Sequence, residues 1–473
     1  MSAPRFEVTH IDLFERDVVL RMPFRFGIVT LTQAPQAFVR ARIRVADGRT
    51  AEGMAAELLA PKWFDKNPAL SNEDNFDQLR RALALARERY LGGGAHTAFG
   101  HFAAHYLAQI EAGASAGLNP LVANYGPALV DRALLDALCR AMGRSFQDAV
   151  CGNHVGLDPA GLCPDLAGFD VAGFLAGLRP APSIAARHTV GLVDPIRADE
   201  LAERVGDGLP ETLEEVVRAY GQRWFKLKVA GDVDADVARL VRIAGVLDAI
   251  PGGYRATLDG NEQYKDVDGV VALWQRMLAE PRLRRLRDAV VFIEQPIQRA
   301  TALATPVAAL SSIKPVIVDE SDDSLDAFVR AREQGYHGVS SKTCKGLYKS
   351  MLNAARCSHW NAQLGEPRHF MSAEDLTIQA GIALQQDLAL VSLLGITHVE
   401  RNGHHYVNGM ADLPEAEQAA FLAAHPDLYH RAHGAVRVHI RQGDLHIASL
   451  GGVGFAGGAA PDWSSMRRMA VPS

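Results

Sequence analysis

Six charged residues recur along the middle of the chain at regular intervals. Lys226 (with Lys228 two residues on), Asp259, Glu294, Asp319 and Lys342 follow one another at steps of 33, 35, 25 and 23 residues. Each ends a short apolar run: WFKLK, RATLD, VVFIE, VIVDE and GVSSK. Three carboxylates make a hard oxygen donor set suited to Mg²⁺, which keeps room for substrate in its octahedral shell. No Cys or His falls in phase, which disfavours zinc. A lysine on either side of such a metal can act as acid or base if its pKa is lowered. Lys226 beside Lys228, together with the divalent ion, supplies the like-charge repulsion that would do so. A metal clamping a substrate carboxylate would stabilise an enediolate as the α-proton leaves.

The elements that must carry these residues are legible. From about residue 186, short apolar strands alternate with amphipathic helices through six strand–helix units. HFMSAED and GITHVERN supply strands seven and eight. The span 186–410 is 225 residues, the size of a (β/α)₈ barrel with parallel strands and right-handed crossovers. The phased charges then stand at one height on successive strands, on the face where barrels place their sites. The chain divides into a small α+β domain over 1–150, a Gly/Pro-rich connection or insertion over 151–185, a barrel over 186–415 and a C-terminal segment over 416–473. Three strands and then helices are expected in the first domain, with Asp47-Gly48 as a hairpin turn. VRVHIRQGDLHIASL is expected to form a hairpin, turning near Gly443-Asp444, that returns to that domain. His404-His405 is expected on a strand and at the surface.

The combination resembles the enolase superfamily, in its muconate-lactonizing-enzyme branch (the mandelate racemase/muconate lactonizing enzyme family). The matching residues are the K-x-K of Lys226 and Lys228, the D-x-N of Asp259 and Asn261, the E-Q-P beginning at Glu294, the D-E-S of Asp319 and Glu320, and Lys342. Met22-Pro23-Phe24-Arg25-Phe26-Gly27 looks like the family's mobile capping loop, Asp131–Asp136 like the helix leading into the barrel, and Gly451–Gly454 like the end of the last cap strand. The resemblance implies an α/β fold: a modified TIM-like barrel, (β/α)₇β, with an N-terminal α+β capping domain completed by the C-terminal segment. It implies that Asp259, Glu294 and Asp319 hold Mg²⁺, with Mn²⁺ as an alternative. Lys228 and Lys342 are then the opposed acid/base pair, with Lys226 tuning Lys228. Asn261 and Glu320 are expected behind the metal ligands, Glu320 because neighbouring strand residues face opposite sides, with Glu320 as an alternative ligand.

Phe24, Arg25 and Phe26 are expected to touch substrate. Glu374, Glu400 and Arg401 are expected either to form salt bridges that lock the barrel rim or to read the distal part of a polar substrate. The expected activity is removal of the α-proton of a small carboxylate substrate. Racemisation or epimerisation ranks first, then dehydratase or succinylbenzoate-synthase-like lyase chemistry, then cycloisomerisation. A Schiff-base aldolase leaves the three carboxylates unexplained, and a non-catalytic binding protein leaves the intact lysines unexplained.

Composition agrees. The chain has 473 residues, 48% of them hydrophobic and 22% charged, and a net charge of −6. This argues against disorder and gives no reason to expect nucleic acid or a membrane as partner. The five cysteines match no zinc spacing, and Gly452, Gly454 and Gly457 lack the helix a dinucleotide loop needs. MSAPRFEVTH has no signal-peptide core and no apolar run reaches membrane-span length. A cytoplasmic enzyme is expected, and the family allows a homo-oligomer.

Overall fold

The computed structural model describes residues 3–26 and 29–471, with the side chains of 25, 26 and 29 left aside. The first domain opens with β1 (Phe6–Phe26), β2 (Val29–Val45) and β3 (Thr50–Leu58), an antiparallel meander. Helices α1 (Asn72–Leu91) and α3 (Pro120–Met142) pack on it, and α2 (Ala98–Ser115) packs on both of them. Ser71, Thr97 and Asn119 cap these helices by accepting from a backbone N–H in the first turn. The buried stretch Leu121–Cys139 of α3 runs against β3. The approach is so close that a Cβ at Gly53 would lie 2.2 Å from Ala133 O.

Eight parallel strands form the second layer: β4 (Ser183–Val190), β5 (Trp224–Lys228), β6 (Arg255–Asp259), β7 (Val290–Glu294), β8 (Val316–Val318), β9 (Gly338–Ser341), β10 (Phe370–Ala373) and β11 (His398–Glu400). Consecutive strands pair and β11 pairs back to β4, which closes a (β/α)₇β barrel. The strands are short and nearly all buried, because helices cover them outside and side chains fill them inside. Between strands the helices carry their own stop signals. Thr212 and Glu215 make a capping box, and Gly221, with φ +64°, ends that helix before β5.

Two expectations are corrected here. The hairpin does form, from β14 (Ile440–Arg441) and β15 (Asp444–His446), but β15 pairs with β4 of the barrel and not with the first domain. It is preceded by the small ribbon β12 (Tyr429–Ala432) and β13 (Ala435–Val438). The return to the cap is made by later residues: Phe455 stacks on Phe146 at 4.0 Å, and β16 (Arg467–Arg468) adds to β1. His404 and His405 lie on a single helical turn, Gly403–Tyr406, with His405 buried. Residues 151–183 hold a 3₁₀ turn (Pro164–Leu166) and a helix (Val171–Gly177), and Asp165 pairs with Arg356 of the barrel helix Leu347–Leu364. All five cysteines are free, four of them buried.

Candidate active site

Register places the charges. Lys228 pairs with Asp259 across β5 and β6, and Asp259 with Glu294 across β6 and β7. Asp319 follows β8 and Lys342 follows β9. Lys228 and Lys342 are four strands apart in a ring of eight, so they enter from opposite sides of the barrel mouth.

All three carboxylates are buried and each is engaged by lysine. Asp259 Oδ2 accepts from Lys228 Nζ at 2.5 Å and lies 2.8 Å from Lys226 Nζ. Glu294 Oε1 accepts from Lys226 Nζ at 2.8 Å, and Asp319 Oδ2 from Lys342 Nζ at 2.7 Å. Asp319 Oδ1 accepts from the Ser340 hydroxyl. Gln295, in the left-handed region at φ +33°, braces the neighbouring strand end: its Oε1 accepts from Asp319 N at 2.9 Å and its Nε2 donates to Ser321 Oγ at 2.7 Å. Burial would raise the Asp259 and Asp319 pKa values, but the lysines overcome it and hold both low. Burial and the charges of Asp259 and Glu374 push Glu294 well above the usual range.

Lys226 is the hub. Besides Asp259 and Glu294, its ammonium donates to Glu374 Oε2 at 2.9 Å and Glu400 Oε2 at 3.0 Å. Burial opposes its charge, but four carboxylates outweigh burial and hold its pKa well above that of an ordinary lysine. Its positive charge is thus matched by four carboxylates.

Of the two expectations for Glu374 and Arg401, the structure has the salt bridges at the barrel rim and not a substrate wall. Glu374 is spent on Lys226 and Arg187. Arg401 is held by Asp387 and donates to Glu400 O at 2.8 Å. Neither lines the cavity. Glu400 does, yet its oxygens already accept from Thr189 and, at 2.9–3.0 Å, from Asn402, Lys226 and Asp375 N. Strand β8 stops at Val318, so strand alternation does not govern Glu320. It faces the cavity, accepting from Asn261 Nδ2 at 3.1 Å. Phe24 lines the cavity with its ring 4.3 Å from Tyr406; the side chains of Arg25 and Phe26 lie outside the described residues.

The cavity itself, about 520 Å³, lies between cap and barrel. Lys226, Lys228 and Lys342 form part of its floor, while Phe24, Leu31, Leu58, Trp63, Phe64 and Leu376 give it apolar walls. The loop after β3 closes it. Lys66 pairs with Glu262 and donates to Asn261 O at 3.1 Å, while Arg299 bonds Glu262 Oε2 at 2.8 Å and Trp63 O at 2.9 Å. The Trp63 ring covers Lys342 Nζ at 4.1 Å. Sequence reasoning missed Trp63, Lys66, Glu262, Arg299 and Arg187, since none falls in the strand-end phase. Lys345, three residues beyond Lys342 and 2.8 Å from Ser340 Oγ, was missed as well.

The donor set fits a hard divalent cation. Three carboxylates end adjacent strands, and Glu294 Oε2 is buried with no hydrogen-bond partner among the described residues. With ammonium groups seated on their oxygens, no three His, Cys, Asp or Glu side chains among the described residues form a finished metal cage. No helix among those residues is long and apolar enough to cross a membrane.

Residues 208–454 match the family model described as "Enolase C-terminal domain-like". A muconate lactonizing enzyme from Pseudomonas fluorescens, solved with muconolactone, is 16% identical with a TM-score of 0.56, covering 97% of this chain and 98% of its own. A dipeptide epimerase from Methylococcus capsulatus, solved with Mg and the dipeptide L-Arg-D-Lys, is 18% identical with a TM-score of 0.54, covering 93% and 99%. An enolase described as a putative sugar isomerase, from Streptomyces coelicolor, is 17% identical with a TM-score of 0.57, covering 95% and 94%. No curated protein sequence matches this one. The family model spans more than half of the chain, and with the closed barrel and its cap it makes this protein an enzyme of the enolase superfamily, in the mandelate racemase/muconate lactonizing enzyme family.

Proposed function

We propose that the protein is a Mg²⁺-dependent racemase or epimerase acting at the α-carbon of a small carboxylate substrate. The observation that carries this reading is the placement of Lys228 and Lys342, two lysines entering one cavity from opposite sides of the barrel mouth. A pair so placed serves both faces of a flat intermediate. One lysine, as the free amine, takes the proton from one face; the other, as the ammonium, returns a proton to the opposite face. Asp259, Glu294 and Asp319 are the residues that would hold the cation, which would supply positive charge beside the substrate carboxylate as the α-proton leaves. Lys226 keeps four carboxylates from repelling one another, and Trp63 shields Lys342 from water.

The distal part of the substrate is uncharged in this reading. The charged side chains of the outer wall have partners: Lys66 and Arg299 share Glu262, Lys62 Nζ donates to the Asn67 and Leu70 carbonyls, Asp65 accepts from Gln78 Nε2 and Asn67 N, Asp375 accepts from the backbone N–H groups of Ile378 and Asn402, and Glu400 is engaged as above. Phe24, Leu31 and Leu376 leave an apolar surface for it.

The test is α-deuterium incorporation in heavy water with Mg²⁺, across matched N-acyl amino acids carrying apolar, acidic and basic side chains. Exchange is expected with the apolar members. Lys228→Ala and Lys342→Ala are each expected to lose exchange from one enantiomer. Exchange that persists in the double variant, or in protein stripped with EDTA, would sink the proposal.

A further inference from the structure

The turn that carries Lys342 is held from the cap as well as from the barrel. Residues Thr343–Lys345 form a single 3₁₀ turn directly after Lys342. Thr343 Oγ1 donates to Glu57 Oε2 at 3.2 Å, and Glu57 is the second-last residue of β3 in the cap. The same Glu57 oxygen accepts from Arg132 Nη2 of α3 at 2.9 Å, and Arg132 is anchored in turn by Nε donating to Ala128 O at 3.0 Å. A second cap side chain reaches the far end of the turn: Asn124 Nδ2 of α3 donates to Lys345 O at 2.5 Å. Trp63, from the loop after β3, lies over the Lys342 ammonium. Glu57, Asn124, Arg132 and Thr343 are all at most 3% exposed, so water does not compete for these bonds.

Among the described residues, Lys228 has no such attachment. It ends a strand paired on both sides, and its ammonium donates to Asp259 within the barrel. The two lysines of the site are thus supported differently.

We infer that Glu57, acting through Thr343, and Asn124, acting through the Lys345 carbonyl, are positioning residues for Lys342, and that the cap builds half of the seat of that lysine. This rests on the reading of Lys342 as one of the two acid/base groups. Its test uses no substrate, so the two can fail separately.

The experiment is competitive acetylation of the full-length protein with trace acetic anhydride, followed by peptide mapping of each lysine. Thr343→Val keeps the shape and removes the hydroxyl. Labelling of Lys342 relative to Lys228 is expected to rise about fivefold, the factor that goes with one lost hydrogen bond. Thr343→Ser restores the hydroxyl and is expected to return the ratio to the wild-type value. Asn124→Leu is expected to raise it as Thr343→Val does. An unchanged ratio in both Thr343→Val and Asn124→Leu would overturn the inference. So would an equal rise at Lys226, Lys228 and Lys342, which reports general loosening. Failure of Thr343→Ser to restore the ratio would also count against it.

Discussion

Asp165 and Arg356 form a two-point ion pair, Nε to Oδ2 at 2.8 Å and Nη2 to Oδ1 at 3.0 Å. The pair gives the Gly/Pro-rich segment a structural purpose. That segment straps the outer side of helix Leu347–Leu364, which follows the Lys342 turn, and Arg356 is 1% exposed. The guanidinium also donates to Leu325 O at 2.6 Å and Asn353 Oδ1 at 2.9 Å.

Asp165→Ala leaves a buried guanidinium without its counter-charge. A loss of about 3 kcal/mol in unfolding free energy is expected, read from urea denaturation. Replacing both partners, Asp165→Ala with Arg356→Met, is expected to recover part of that loss. A single variant as stable as the wild type would refute the strap.

Arg299→Ala tests the closure of the cavity. Glu262 would keep Lys66 but lose its bonds from Arg299, and the Trp63 carbonyl would lose its donor. Faster amide hydrogen exchange is expected in residues 62–67, with exchange in the barrel strands unchanged. Equal exchange in that loop would show that the latch does not hold it.

Glu57 gives a pH dependence with a definite sign. Burial pushes its carboxyl from 4.5 up to about 7, against the pull of Arg132 and Thr343 and with the help of Asp387 and Asp375. Between about pH 4.5 and 7 the folded protein therefore holds a proton that the unfolded chain has released. This contribution to stability is present below pH 4.5 and is lost as pH rises to about 7, to the extent of about 3 kcal/mol. Glu57→Gln removes it. The difference in unfolding free energy between wild type and variant is expected to shift in the variant's favour from pH 4.5 to 7.5. A difference constant across that range would contradict the prediction.

What the sequence alone determined is the barrel and its line of charges. Alternating apolar strands and amphipathic helices admit few topologies, and the strand-end residues inherit their height from the repeat itself. Lys226, Lys228, Asp259, Glu294, Asp319 and Lys342 could be named for that reason. Pairing among them could not. Lys226 and Glu374 are 148 residues apart, and only closure of β11 onto β4 brings the ends of strands five, ten and eleven around one ammonium. The cap contacts are further from local pattern still. Glu57 reaches Thr343 across 286 residues, and Lys66 meets Glu262 because a loop without periodicity folds over the barrel mouth. The hairpin of β14 and β15 shows the same limit: a turn and alternation specify a hairpin locally, but which sheet edge receives it depends on where the tail emerges from the barrel. Local periodicity is written into neighbouring residues. Which charges neutralise one another is decided only when the closed barrel and the docked cap exclude water from between them.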